Sequence, residues 1–271
     1  MGVSGAPDLQ TSWVGALAGE QRPDAERTIR AVIDGYGDGT YASLVLTDDG
    51  SRYWCKQLGN PQGDHVLVNE AVLAAAARLI GAPARPTTHL YIPPELAGEP
   101  FGPGLKFRTG IAHGSLHLDA AEERDEAAYV RRGDNAARWA AIVAAWDWLL
   151  GDDGQWLYDQ ANDYEVWTFD HGFWLGGDGG DWTGSMLARL LGAPWSWGKL
   201  PSGIDRSALH ATAARLRQVS SSDVLGAVAQ AHPSWGTSDA ELETLAWFLY
   251  NRRASVATRL EAQAKDERRK S

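Results

Sequence analysis

The chain has 271 residues, 25 basic and 35 acidic for a formal net charge of −10, and 44% of it is hydrophobic, including 13 tryptophans. That length predicts one large domain or two lobes packed around a cleft, and so much apolar surface excludes a disordered or collagen-like chain. The acidic balance argues against a general electrostatic grip on nucleic acid or on an anionic membrane.

The lone cysteine, Cys55, excludes an internal disulfide and a thiolate zinc site, and it suits a reducing cytoplasm. The opening residues lack the basic and apolar regions of a secretory signal, and no apolar run is long enough to span a bilayer. A cytoplasmic protein without a membrane partner is the expectation.

Residues 1–24 mix Gly, Pro and polar groups without periodicity and predict a partly ordered leader. Three runs then read as consecutive antiparallel strands: RTIRAVI from Arg27, YASLVLT from Tyr41 and RYWCKQL from Arg52, divided by the turns GYGDGT and TDDGS. An alanine-rich helix is predicted from Val66 to Ile80, stopped by Gly81 and Pro83. Residues 87–110 hold two short strand-like pieces around a Pro- and Gly-rich loop, and beyond them the periodicity reads as helical almost to the end. Trp139, Ile142, Val143, Trp146, Leu149 and Leu150 recur at the spacing of one buried helix stripe. After GDDGQ, the runs WLYD and YEVWTFD predict a hairpin leading into a glycine-rich functional loop, HGFWLGGDGGDWTGS. Helices follow near 205–217, 222–230 and 239–262, the last opening with Ser238 and Glu241 at capping-box spacing.

Several polar residues stand where charge is costly. Lys56 shares a strand face with Trp54 and Leu58, so it either snorkels over apolar neighbours or turns inward to meet an anion. Glu70 lies on the helix face of Val66, Leu73 and Ala77, and an inward Lys and an inward Glu on adjacent elements are best explained together as an ion pair. Gly35, Gly37 and Gly39 alternate in the first strand turn, which allows backbone N–H groups to approach a phosphate or simply forms a hairpin. Asp170 ends a strand before His171 and Gly172, a placement that suits a hard-metal ligand, with Asp152, Asp153 or Gln155 as a second donor, or a turn cap.

Other constellations are weaker. His113 and His117 have a four-residue spacing, but Gly114 and the missing glutamate speak against zinc. Cys55 alternates away from Lys56 and reads as a small buried hydrophobe. Trp174, Trp182, Trp195 and Trp197 follow Asp170 in loop-like sequence, where they either pack a loop or form a partner surface.

The chain order of strand, glycine turn, strand lysine, helix glutamate, apolar helix, acidic loop, hairpin and Asp-His-Gly is that of a protein-kinase-like fold. In particular the sequence resembles the HipA-like kinase family, which is related to the phosphoinositide kinases. YWCKQ with HVLVNEAVLAAAARLIGAP is similar to that family's nucleotide-lysine strand and glutamate helix. AAWDWLLGDDGQWLYD with VWTFDHGFWL is similar to its catalytic loop and metal-binding strand. AHPSWGTSDAELETLAWFLYNRRASVATRLE resembles its C-terminal helical element, so the resemblance spans roughly residues 27 to 262.

The resemblance implies an α+β bilobal protein-kinase-like fold, with a β-rich nucleotide-binding lobe over residues 25–110, a helical lobe over 111–262 and a charged tail over 263–271. It implies ATP and Mg²⁺ as cofactors: Lys56, Glu70, Gly35, Gly37 and Gly39 serve the nucleotide, and Asp170 and Gln155 hold the metal. Asp153, with Asp152 the near alternative, is the catalytic aspartate that orients an acceptor hydroxyl. The chain departs from the family's Asn-x-Asp-Arg-x-x-x-Asn loop, since Gly151, Asp152, Asp153, Gly154 and Gln155 alone precede Trp156 and no Arg or His follows the aspartate.

Two functions fit. One is an ATP-dependent phosphotransferase acting on a protein serine or threonine hydroxyl; the other is a pseudokinase that binds nucleotide or a protein partner. Between Phe173 and Trp197 there are two Asp and one Arg, a poor match for a phosphoinositide head group, which makes a lipid kinase the weaker enzyme option. No basic helix or aromatic-basic patch calls for direct nucleic-acid binding.

Overall fold

The structure, a computed structural model, describes residues 11–34, 41–102, 104–176, 180–195 and 197–266. Strands β1 (Arg27–Asp34), β2 (Ser43–Thr47) and β3 (Arg52–Lys56) form the expected antiparallel meander. Helix α1 (Val66–Leu79) follows and ends at Gly81, whose φ of +78° a side chain would resist. Then come β4 (Thr87–Ile92), the small hairpin of β5 (Pro100–Gly102) with β6 (Leu105–Lys106), and β7 (Gly110–Leu116). The order β1-β2-β3-β7-β4 closes into a barrel, its last seam the parallel pairing of β1 with β4.

Side-chain alternation fills this barrel. Ile29, Val45, Tyr53, Cys55, Leu90, Ile92 and Ala112 turn inward and pack with Phe101 and Phe107, so Cys55 is a buried core residue. The lobe division expected after residue 110 falls at the start of β7, a barrel strand, so the β-rich lobe extends to Leu116. Gly110 and Gly114 hide this strand from a propensity reading, yet Gly114 is required there: a Cβ would sit 2.7 Å from Leu90 Cδ1 on the neighbouring strand.

The second lobe begins with further β structure where helix was expected. Strand β8 (Ala121–Arg124) pairs with β9 (Trp156–Asp159), which pairs in turn with β10 (Glu165–Thr168), the expected hairpin. Between β8 and β9 runs α2 (Asn135–Trp148), with Trp139, Ile142 and Val143 buried. Helix α3 (Gly184–Leu190) arises inside the glycine-rich stretch read as loop, its N-cap supplied by the Thr183 hydroxyl. Helices α4 (Arg206–Gln218), α5 (Ser221–Val228) and α6 (Asp239–Asp266) follow, and reciprocal Ser238–Glu241 bonds open α6. Among the described residues no helix is long and apolar enough to cross a membrane.

The described part of the leader is a strap on the second lobe. Trp13 and Leu17 are buried, Leu17 N–H donates to Glu243 of α6 at 3.1 Å, and Arg22 holds Ala231 O and Asp239. The turn after α5 joins the lobes: the Trp235 ring stacks on His89 of β4 at 5.1 Å, and its indole N–H donates to Ile111 O of β7.

A buried charge cluster fixes the helices. Asp147 of α2, 3% exposed, accepts from Arg252 at 3.0 Å and from Arg259 at 2.7 Å, both on α6. Arg252 also donates to Leu190 O and Leu191 O at the end of α3, so one guanidinium ties three helices together. Removing the carboxylate would strand a buried cation, so Asp147→Ala is expected to lose about 3–5 kcal/mol of stability. Urea denaturation checks this, and a loss below about 1 kcal/mol would show that backbone carbonyls alone satisfy Arg252.

Candidate active site

Period two on β3 that sends Cys55 into the barrel sends Lys56 to the opposite face, against α1. There Lys56 Nζ donates to Glu70 Oε1 at 2.6 Å and to Asp170 Oδ1 at 2.5 Å, with all three side chains nearly out of water. Burial by itself pulls the ammonium's pKa down, but the charges of Asp170 and Glu70 outweigh it and hold it above lysine's ordinary value. Burial raises Asp170 above the ordinary carboxylate range, opposed by Lys56 and aided by the Glu70 charge.

Asp170 is placed by a chain of backbone bonds. Thr168 N–H donates to Pro83 O and Arg85 N–H to Thr168 O, which sews the end of β10 to the segment after α1. Asp170 then takes φ +52°, a left-handed turn that Asp tolerates, and His171 N–H donates to Glu70 Oε2 at 3.0 Å. Asn69 Nδ2 holds Gly172 O at 2.8 Å and Gly180 O at 2.7 Å, so α1 grips both sides of the segment after Asp170. Gly172 is closely packed, with a Cβ position 3.0 Å from Val66 Cγ1, and Gly180 has to be glycine, since its φ is +82° and a Cβ would lie 2.3 Å from Gly172 O. His171 bonds Thr168 Oγ1, and burial pushes its imidazole down to about 3, leaving it a neutral spacer.

These groups line a cleft of about 530 Å³ between the lobes. Its walls are apolar, from Trp54, Leu116, Leu118, Leu157 and Phe169, and its polar end holds Lys56, Glu70, Asp170 and Gln155. His113, the cross-strand neighbour of Lys56, also borders it, and burial followed by the Lys56 charge keeps its imidazole neutral. Glu123 of β8, which the sequence reading passed over, lines the cleft as well. Burial, then the charge of Asp170, raises its pKa, and the signal available beforehand was its alternation with Ala121 along β8.

The expected loop residues divide. Gln155 borders the cleft, whereas Asp152 and Asp153 are exposed at its margin, with Asp153 N–H bonded to Asp152 Oδ1 and Asp153 at φ +50°. Partial burial, then Asp170 and Asp152, hold Asp153 above the ordinary carboxylate range, so it lies within the electrostatic reach of Asp170. The turn carrying Gly35, Gly37 and Gly39 lies outside the described residues. His113 and His117 sit on and just past β7, where the helical spacing needed for a shared metal does not apply. Among the described residues no group of three His, Cys, Asp or Glu side chains could hold a metal ion. Mg²⁺ needs only one or two protein carboxylates when phosphates complete its shell, and the Asp170 and Gln155 oxygens fit that minimal set.

No family model matches the chain, and no curated protein matches its sequence. Among solved structures, the Helicobacter pylori proinflammatory kinase CtkA is similar, with a TM-score of 0.55 and 12% identity over 89% of this chain and 97% of that one. The Golgi casein kinase, in two structures of which one has Mn/ADP bound, aligns at a TM-score of 0.47 and 10% identity, over 96% of this chain and 77% and 78% of theirs. The chain has an α+β bilobal kinase-like fold.

Lys56→Met would leave the Glu70 and Asp170 carboxylates facing each other without a cation, at a cost of about 3–5 kcal/mol near neutral pH. Asp170, already raised by burial, would be pushed further up, so its folded state would bind a proton that the unfolded chain, with a pKa of about 4, releases. The deficit of the variant is therefore full above that raised pKa and shrinks as pH falls toward 4. Urea midpoints of variant and native protein at pH 7.5 and 5 should converge, and an unchanged gap would contradict the charge account.

Proposed function

We propose that the protein is an ATP-dependent phosphotransferase of HipA-like kinase type that acts on a protein serine or threonine hydroxyl. The observation that carries this reading is Lys56 Nζ bonded at once to Glu70 of α1 and to Asp170 past β10, at the polar end of an apolar-walled cleft. A nucleotide suits that cleft, because Trp54, Leu157 and Phe169 offer apolar faces to a base and Lys56 offers a buried cation to phosphate oxygens. Glu70 holds Lys56 in place, and Asp170 with Gln155 would hold Mg²⁺, which supplies positive charge to the phosphate oxygens when bound. Asp153 orients the acceptor hydroxyl, and its raised pKa strengthens its carboxylate as the proton acceptor. Rate enhancement then comes from positioning and electrostatics.

A protein acceptor is favoured over a phosphorylated lipid by the charge around the cleft mouth. Glu123 lines it and Asp152 and Asp153 stand beside it, a field that repels an inositol phosphate, while Asp119 in the same lining is paired with Arg52.

The short loop favours the second reading, a pseudokinase acting as a nucleotide- or protein-binding module, since Gly151–Gln155 carries no basic side chain and Asp153 stands outside the cleft lining. ADP release from Mg·ATP separates the two. The kinase reading expects release by the native protein that falls at least about 100-fold in Asp170→Asn and in Asp153→Asn, with both variants folded. Native protein that binds Mg·ATP and releases no ADP with a mixed peptide library supplied would establish the pseudokinase.

A further inference from the structure

The loop that carries Asp153 is too short to brace itself, and a residue 44 positions downstream of Gly151 reaches back to it. Trp195 lies in the stretch after α3, and its indole N–H donates to Gly151 O at 2.7 Å. Its backbone N–H donates to Asp147 Oδ1 at 3.2 Å, so the residue is anchored to the carboxylate that Arg252 and Arg259 hold. On its far edge, Trp195 Cη2 sits 3.4 Å from where a Cβ of Gly176 would be, on the segment leading away from Asp170. One indole therefore bonds the loop backbone and lies near the segment that follows Asp170.

Gly151 is pinned from the other side as well. Its N–H donates to Trp146 O at 2.8 Å, and a Cβ there would lie 2.4 Å from the Trp146 ring, so the position admits only glycine. The neighbouring tryptophans do something different. Trp139, Trp156 and Trp174 are buried with indole nitrogens that find no acceptor among the described residues, and Trp197 packs edge-on against Trp139 and Trp146. They fill space beneath the loop, whereas Trp195 uses its polar edge on the loop backbone.

We propose that Trp195 is a positioning residue whose indole N–H holds the Gly151–Gln155 loop, and through it Asp153, to the frame that Asp147 sets with Arg252 and Arg259. The kinetic consequence rests on the kinase reading; the structural consequence does not.

The test compares full-length Trp195→Phe, which keeps a ring and loses the N–H, with Trp197→Phe, which alters a packing tryptophan. Hydrogen exchange at the Gly151 and Asp153 amides is expected to quicken about 3- to 10-fold in Trp195→Phe, the range for one lost neutral hydrogen bond, with α1 and the barrel unchanged. In Trp197→Phe the loop amides are expected to keep their native rates. In ADP release, kcat should fall about 3- to 10-fold in Trp195→Phe at an unchanged KM for ATP, because the nucleotide contacts are untouched. Native loop exchange in Trp195→Phe would overturn the proposal, and so would faster exchange spread over the whole second lobe. If the native protein releases no ADP, the kinase reading fails while the exchange experiment still decides the brace.

Discussion

An ammonium group removed from water persists only where anions meet it, and Lys56 is met by two. Desolvating such a charge costs several kcal/mol, so the arrangement is tolerated because Glu70 and Asp170 both lie within 2.6 Å. That requirement organises everything nearby. Helix α1 has to lie against β3, the chain past β10 has to turn left-handed at Asp170, and position 180 has to be glycine so that its backbone can pass Gly172 O. The bonds from His171 N–H to Glu70 and from Asn69 to Gly172 O make the same three elements mutually dependent.

The second lobe rests on a charge cluster of opposite sign. There a single carboxylate, Asp147, answers two arginines, and Arg252 spends its remaining donors on the carbonyls that end α3. Asp147 also accepts from the backbone of Trp195, so the packing of α2 on α6 is connected through one residue to the Gly151–Gln155 loop. The interlobe turn at Trp235 and the strap at Trp13 and Leu17 add apolar contact to a frame already set by paired charges. Such clusters contribute more to a single geometry than to net stability, since an apolar replacement often folds as well.

Set between the two clusters, the cleft combines a fully paired charged end with a sparsely braced loop. Lysine, helix glutamate and strand-end aspartate are in contact, while the loop bearing Asp153 is short, lacks a basic residue and leans on tryptophan for its position. The margin around that loop is acidic: burial first, then the charge of Asp170, raises the carboxyls of Glu123 and Asp153 above the ordinary carboxylate range.

Local pattern alone determined much of this protein: the meander β1 to β3, α1 with its glycine stop, α2, the β9–β10 hairpin and the capped α6 all follow from period and end signals within a few residues. It also placed Lys56 on the strand face opposite Cys55 and Glu70 on the apolar helix face, leaving their pairing as one of two readings that the structure then resolved. Tertiary structure decided the rest. Strand β7 was masked by Gly110 and Gly114, the second of which is required by the Leu90 side chain across the barrel, and α3 emerged from a glycine-rich run once Arg252 and the Thr183 hydroxyl satisfied its ends. Glu123 and Trp195 entered the site from distant chain positions, as did the contact of Asp170 with Lys56, 114 residues earlier. A sequence reports preferences that act over one or two turns of backbone. Which charges and hydrogen bonds meet across the lobes is settled by the closure of the barrel and the packing of the helices, and that is where the chemistry of the cleft was made.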